Sequence, residues 1–103
     1  MPDPIVAKVI WTVEAETWLE EIFNYLSAKN SAAACRVVEG IYNRAEELKR
    51  FPRLGYRYER PTEREIRVLL FGHYRIAYWV RPDDDVVILG IFHGAMDIGK
   101  YLR

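Results

Sequence analysis

The chain has 103 residues, half of them hydrophobic, which is the size and composition of one compact domain with a modest core. Its 15 basic residues balance 15 acidic residues, so the overall charge does not favour direct sequence-specific nucleic-acid binding. No apolar run approaches the roughly 20 residues of a membrane span, and the N-terminus lacks the basic and apolar regions of a signal peptide, which together predict a cytoplasmic protein.

The first half of the chain predicts one strand and two helices. A short apolar run is followed by Thr12, which suits the N-cap position of a helix. Apolar residues then recur with helical spacing in two stretches, the second of which cannot continue past a proline. The predicted elements are a strand over 5–11, a helix over 13–28, and a helix that is capped by Asn30 or Ser31 and ends before Pro52.

Three further strands are predicted in the last third of the chain, over 66–70, 74–80 and 86–93. Each run is rich in β-branched and aromatic residues and is separated from the next by turn residues, which is typical of an antiparallel meander. The order β-α-α-β-β-β, without a linker or repeat, predicts a single α+β domain over 1–103. In this fold a helical hairpin packs on a small antiparallel sheet, and the first strand lies antiparallel beside either edge of the meander.

Positive charge is concentrated between Arg50 and Arg81, a stretch that contains eight arginines and only three glutamates. Arginine grips carboxylate or phosphate in bidentate geometry, so this region is either an anion-facing surface or a solvated face that its own glutamates neutralise. His93 has two readings as well. It caps the end of a strand by bonding to backbone or to Asp97, or it serves as a catalytic base.

No metal site or cofactor is predicted. The sequence has no His, Cys, Asp or Glu spacing of metal-ligand type, no Gly-rich phosphate loop and no serine elbow. Cys35 is the single cysteine of the sequence, so an internal disulfide is excluded. Its side chain is expected to be a buried structural thiol.

An ordered set of residues over nearly the whole chain resembles the RelE/ParE superfamily of bacterial type II toxins. The set comprises Trp11, Ala15, Trp18, Leu19, Ile22, Tyr25, Leu48, Pro52, Gly55, Ile66, Arg67, Tyr74, Arg75, Ile76, Tyr78 and the ending His93-Gly94-Ala95-Met96-Asp97. The resemblance implies a toxin that a small antitoxin neutralises. It implies either a ribosome-dependent mRNA endonuclease of RelE type or a DNA gyrase poison of ParE type.

The ParE-like branch fits the residues better. RNA cleavage needs a base, a proton donor and fixed cations, yet Met96 occupies the position where many RelE-like members have an arginine. The lysines of the RelE-like site also have no counterpart between Pro52 and Ile66. We therefore expect a gyrase-binding inhibitor neutralised by a ParD-like antitoxin. The alternatives are a RelE-type nuclease, with Arg67, His93 and Tyr101 as its catalytic set, and a non-toxic interaction module.

Two groups of site residues are predicted. The target-binding residues are expected to lie together at the open end of the sheet, with the alternative that Arg75 pairs with Glu63 or Glu65; they are Arg67, Arg75, Asp97, Tyr101 and Arg103. The antitoxin-binding residues are aromatic: Trp18, Tyr25, Tyr78 and Trp79. Because neighbouring residues on a strand point to opposite faces, either Tyr78 or Trp79 must face away from the core unless both faces are covered. This favours a protein that covers the second face.

Overall fold

Two helices pack against one face of a five-stranded sheet in the computed structural model, which describes residues 6–59 and 63–102. The elements are β1 (Val9–Trp11), α1 (Val13–Ser27), α2 (Ser31–Glu46), a 3-10 turn (Glu47–Lys49), β2 (Tyr56–Arg57), β3 (Glu65–Phe71), β4 (Tyr74–Val80), β5 (Val86–His93) and a second 3-10 turn (Ile98–Lys100). Among the described residues, no helix has the length and apolar character needed to cross a membrane. The predicted α+β class, with a helical hairpin on a sheet, is confirmed.

Side-chain caps define where both helices begin. The Thr12 hydroxyl accepts a hydrogen bond from the backbone N–H of Ala15, at 3.0 Å, and donates one to the carbonyl of Ile88 in β5, at 2.7 Å. The first bond supplies a partner for an N–H that the start of the helix leaves unpaired, and the second ties that helix end to the sheet. Asn30 caps α2 by accepting from the N–H of Ala33. Thr12 is therefore confirmed as a cap, and Asn30 is the cap of the second helix.

The strand order is β1-β5-β4-β3-β2, and β1 runs parallel to β5. The prediction of an antiparallel first strand is wrong, because it missed β2. This two-residue strand pairs antiparallel with β3. Each additional antiparallel strand reverses the direction of every later strand, so including β2 turns β5 parallel to β1. The sheet is mixed, and residues 6–8 of the predicted first strand precede β1.

The two faces of the sheet are covered differently. The helix face, defined by Leu69, Ile76 and Ile88, packs against the helical hairpin. The outer face is defined by Val68, Ala77 and Phe92, all 1% exposed or less, and it packs against residues from the end of the chain. The chain thus supplies part of the cover for its own second face.

Outside both clusters, Cys35 is exposed on α2, so the prediction of a buried thiol is wrong.

Candidate functional site

Arg67 lies on the helix face of β3, two residues from Leu69, where it braces the segment that leads into β2. Its Nε donates to the Glu65 carboxylate at 2.7 Å, and its Nη1 donates to the carbonyl oxygens of Gly55 at 2.8 Å and Arg53 at 3.4 Å. The side chain is only 18% exposed. Arg67 therefore has a structural role, whatever it contacts outside the chain.

Tyr78 lies directly across from Arg67 on β4 and holds the same segment. The contacts of Arg67 and Tyr78 with Gly55, together with the pair between Arg67 and Glu65, are called the brace below. Its hydroxyl accepts a hydrogen bond from the N–H of Gly55 at 2.9 Å. Burial raises the pKa of the Tyr78 hydroxyl, against the lowering effect of this hydrogen bond. Tyr78 is 0% exposed, so the prediction that it contacts an antitoxin is wrong. Trp79 is the member of the pair that faces outward, as strand alternation requires.

Acidic side chains neutralise several of the clustered arginines. Arg53 donates twice to Glu65, at 3.0 and 3.2 Å, and also pairs with Asp84 at 3.1 Å. Burial alone would raise the pKa of the Glu65 carboxyl, but hydrogen bonds from Arg67 and Arg53 outweigh it and lower that pKa. Arg81 pairs with Asp83 at 3.3 Å. The reading of a face neutralised by its own glutamates therefore holds for Arg53 and Arg67, which share Glu65, whereas Arg81 is paired with an aspartate of the following turn.

Arg75 points to the opposite face from Arg67, because it shares the outer face with Ala77 while Arg67 opposes Tyr78 on the helix face. The predicted target-binding cluster is therefore divided between the two faces. Arg75 does not pair with Glu65, which Arg53 and Arg67 hold, and no ion pair joins it to Glu63. Its Nη2 donates instead to the carbonyl oxygens of Met96 and His93, the latter at 3.5 Å.

Residues 95–102, called the C-terminal segment below, fold back over the outer face. The Asp97 carboxylate accepts a hydrogen bond from the N–H of Gly99 at 3.1 Å and caps the final 3-10 turn. Asp97 thus orients backbone, and it forms no ion pair with an arginine of the described residues. Ile98 is 2% exposed. Arg103, the remaining member of the predicted cluster, lies outside the described residues.

Tyr101 packs on the outer face yet remains half exposed. Its ring stacks on Phe92, with centroids 5.4 Å apart, and meets Trp18 edge-on at 5.2 Å. A groove of about 530 Å³ lies beside it, lined by Thr12, Glu14, Trp18, Arg64, Ile66, Leu89, Phe92, Tyr101 and Leu102. The Arg64 guanidinium sits 4.6 Å from the centroid of the Trp79 ring. The groove therefore combines an apolar, aromatic wall with one basic residue, Arg64, and one acidic residue, Glu14.

His93 ends β5 with its ring engaged locally. Its Nδ1 accepts a hydrogen bond from the N–H of Ala95 at 3.3 Å, which supports the reading of a strand cap bonded to backbone. The ring stacks on His73 at 6.3 Å and meets Tyr74 edge-on at 5.8 Å. No hydrogen bond or ring contact joins His93 to Arg67 or Tyr101, the other members of the alternative catalytic set. Within the described residues, no group of three His, Cys, Asp or Glu side chains is placed to hold a metal.

The family model described as the ParE toxin of the type II toxin–antitoxin system, parDE, matches residues 9–98. The chain belongs to the ParE toxin family. The chromosomal ParDE toxin–antitoxin system of P. aeruginosa is similar in structure, with a TM-score of 0.71 and 18% identity over 85% of this chain and 96% of that one. The RelBE2 toxin–antitoxin complex of Mycobacterium tuberculosis gives a TM-score of 0.65 and 22% identity over 93% and 100%. No curated protein shows significant sequence similarity.

The aromatic residues predicted to bind an antitoxin differ in accessibility in this ParE family member. Tyr25 on α1 is 67% exposed, and the Lys29 ammonium lies 5.2 Å from its ring centroid. Trp18 is half-buried between Phe92 and Tyr101. The sequence analysis did not identify Phe92 as a site residue. The available signal was its spacing of two residues from Gly90, which places both residues on the same side of β5. Tyr25, Trp18 and Trp79 remain candidates for partner contact.

Proposed function

We propose that this ParE family member is a toxin that inhibits DNA gyrase by binding, in the cytoplasm, and that a ParD-like antitoxin holds it inactive. One observation carries the choice of binding over RNA cleavage. The residues of the alternative catalytic set lie in three separate environments: Arg67 in the brace at Gly55, His93 beside His73, and Tyr101 on Phe92. General acid–base catalysis needs its groups within hydrogen-bond reach of one reacting centre.

Met96 adds to this argument. Its thioether carries no charge with which to stabilise a phosphorane, and its backbone carbonyl already accepts from Arg75. The proposed target contact lies instead on the C-terminal segment, where Tyr101 is 51% exposed above Phe92. Tyrosine presents a rigid, amphipathic ring at low entropic cost, which suits it to a binding surface.

The surface also suits a protein inhibitor. The groove beside Tyr101 combines apolar walls with Arg64 and Glu14, and Tyr25 exposes its ring on α1, the helix that also carries Trp18 of the groove wall. We expect a disordered antitoxin segment to place apolar side chains on the groove walls and on Tyr25, and acidic side chains near Arg64. Such a complex would bury roughly 2,000 Å² in total, as tight complexes often do. Co-expression with the protein encoded beside the toxin should therefore give a stable complex. Absence of any such complex would contradict the proposed antitoxin.

Growth inhibition in a bacterial host tests the toxic contact with matched variants. Tyr101→Ala should relieve inhibition, because it removes the exposed ring of the C-terminal segment. Tyr42→Ala is the control, since Tyr42 is 48% exposed and also stacks on one aromatic, Trp11, at 5.8 Å. Full inhibition by Tyr101→Ala at unchanged protein level would place the toxic surface elsewhere. Mapping of mRNA 5′ ends in the same cultures should show no induced cuts, and codon-periodic cuts would establish the RelE-type alternative.

A further inference from the structure

We infer that Arg75 is a positioning residue that clamps the C-terminal segment onto the outer face of the sheet. The inference rests on the proposed function only where it concerns toxicity. It reverses the role expected from the sequence, in which Arg75 was to grip an anion of the target. The geometry directs the guanidinium inward, toward the chain's own backbone.

Arg75 holds both ends of one turn. The chain leaves β5 at His93 and reverses direction through Gly94 and Ala95, and the Met96 N–H closes the turn on the His93 carbonyl at 2.9 Å. The Nη2 of Arg75 donates to the carbonyl oxygens of His93 and Met96. A hydrogen bond from a charged donor is stronger than a neutral one. The backbone bond from the Gly94 N–H to the His73 carbonyl, at 2.7 Å, holds the start of the turn, and the guanidinium adds to it by directing the chain back over the sheet.

No acidic side chain competes for this guanidinium within the described residues. The hydrogen bonds that Arg75 makes there both go to carbonyls, and its Nε is buried without a partner. Arg67 and Arg53, in contrast, each hold a carboxylate. Carbonyl oxygens carry only partial charge. Arg75 is therefore held by hydrogen bonds to backbone and by its partly buried position, and not by an ion pair.

The remaining contacts of the C-terminal segment depend on the direction that the turn sets. Beyond Met96, Ile98 enters the cluster of Val68, Ala77 and Phe92, and Tyr101 then reaches the ring of Phe92. These are apolar contacts, which have no preferred direction of their own. The side chains of Ile98 and Tyr101, held by such contacts alone, would not define one placement of the segment on the sheet. The directed hydrogen bonds of Arg75 favour the placement that brings Tyr101 onto Phe92.

Hydrogen exchange on the purified chain tests the clamp through the amides of residues 96–102. Arg75→Met keeps the aliphatic stem and removes the donors, and it should speed exchange there about tenfold or more, since a charged hydrogen bond stabilises by about that factor. Amides of β3 and β4 should change less than about twofold. Arg81→Met, just after the same strand, removes only a surface ion pair with Asp83 and should leave the segment unchanged.

Two results would overturn the inference. The amides of residues 96–102 in Arg75→Met could exchange at the wild-type rate, or the exchange rates of β3 and β4 could rise by the same factor as those of residues 96–102. If Arg75→Met does not fold, Arg75→Lys is judged by the same comparison, with an increase of about threefold or more expected because lysine lacks the planar fork. The exchange result decides the role of Arg75 even if the wild-type chain fails to inhibit growth, which would refute only the proposed function.

Discussion

Replacing Arg67 with methionine should destabilise the whole domain, whereas a residue that only contacts a target could be lost without cost to the fold. Methionine keeps most of the apolar stem but removes the donors to Gly55 and Glu65. Arg57 is the matched control, because it faces Arg67 directly across the β2–β3 pair and is exposed. The two variants therefore remove the same charge from neighbouring positions.

The structure sets the magnitude of the effect. A hydrogen bond that involves a charged group contributes about 1.5–3 kcal/mol, and the ion pair to Glu65 adds less because Arg53 still holds that carboxylate. Arg67→Met should therefore lower the free energy of unfolding by about 2–3 kcal/mol. Arg57→Met should change it by no more than about 0.5 kcal/mol, as is usual for surface substitutions.

Urea unfolding followed by far-ultraviolet circular dichroism measures this difference. With an m value of about 1–3 kcal/mol/M, the midpoint of Arg67→Met should fall by about 0.7–3 M relative to the control. Equal midpoints for the two variants would refute the brace. Equal midpoints together with lost growth inhibition in Arg67→Met alone would restore Arg67 as a target contact.

Three further predictions concern the same brace. Tyr78→Phe leaves the buried N–H of Gly55 without its acceptor and should cost about 1–3 kcal/mol in urea unfolding; an unchanged midpoint would show that water or another group replaces the hydroxyl. Gly55→Ala places a Cβ 2.5 Å from the Val68 carbonyl oxygen, so it should destabilise by about 1–3 kcal/mol, and wild-type stability would mean that the backbone there shifts freely. Glu65 has a lowered pKa in the folded state, so its contribution is present above the unfolded value of about 4.3 and is lost as pH falls through the folded value. The stability difference between wild type and Glu65→Gln should therefore shrink between pH 5 and pH 2, and a constant difference would contradict the ion pairs.

The sequence predicted the long elements because each carries a strong periodic signal. The structure has α1 at Val13–Ser27, and the three predicted meander strands match β3, β4 and β5 to within one residue at each end. The short strand β2 carries no such signal, since two residues cannot show alternation. Its omission reversed the expected direction of β5 relative to β1, so a two-residue element decided the topology.

The candidate site was harder to predict, because it depends on which face each side chain occupies. Arg67 and Arg75 differ by eight positions along a strand, turn and strand, and only the register that pairs Arg67 with Tyr78 assigns them to opposite faces. The role of Arg75 depends on backbone carbonyls at His93 and Met96, which every residue type supplies. The sequence therefore predicted neither the face that each arginine occupies nor the groups that it binds, and the predicted target contacts stay a prediction.

The supercoiling activity of purified DNA gyrase tests the central claim most directly. The purified chain, free of antitoxin, should block supercoiling or trap cleaved DNA on the enzyme, and Tyr101→Ala should do so more weakly than Tyr42→Ala. It should leave mRNA on translating ribosomes intact. Full gyrase activity at a large excess of the chain, together with cleavage of ribosome-bound mRNA, would contradict inhibition by binding.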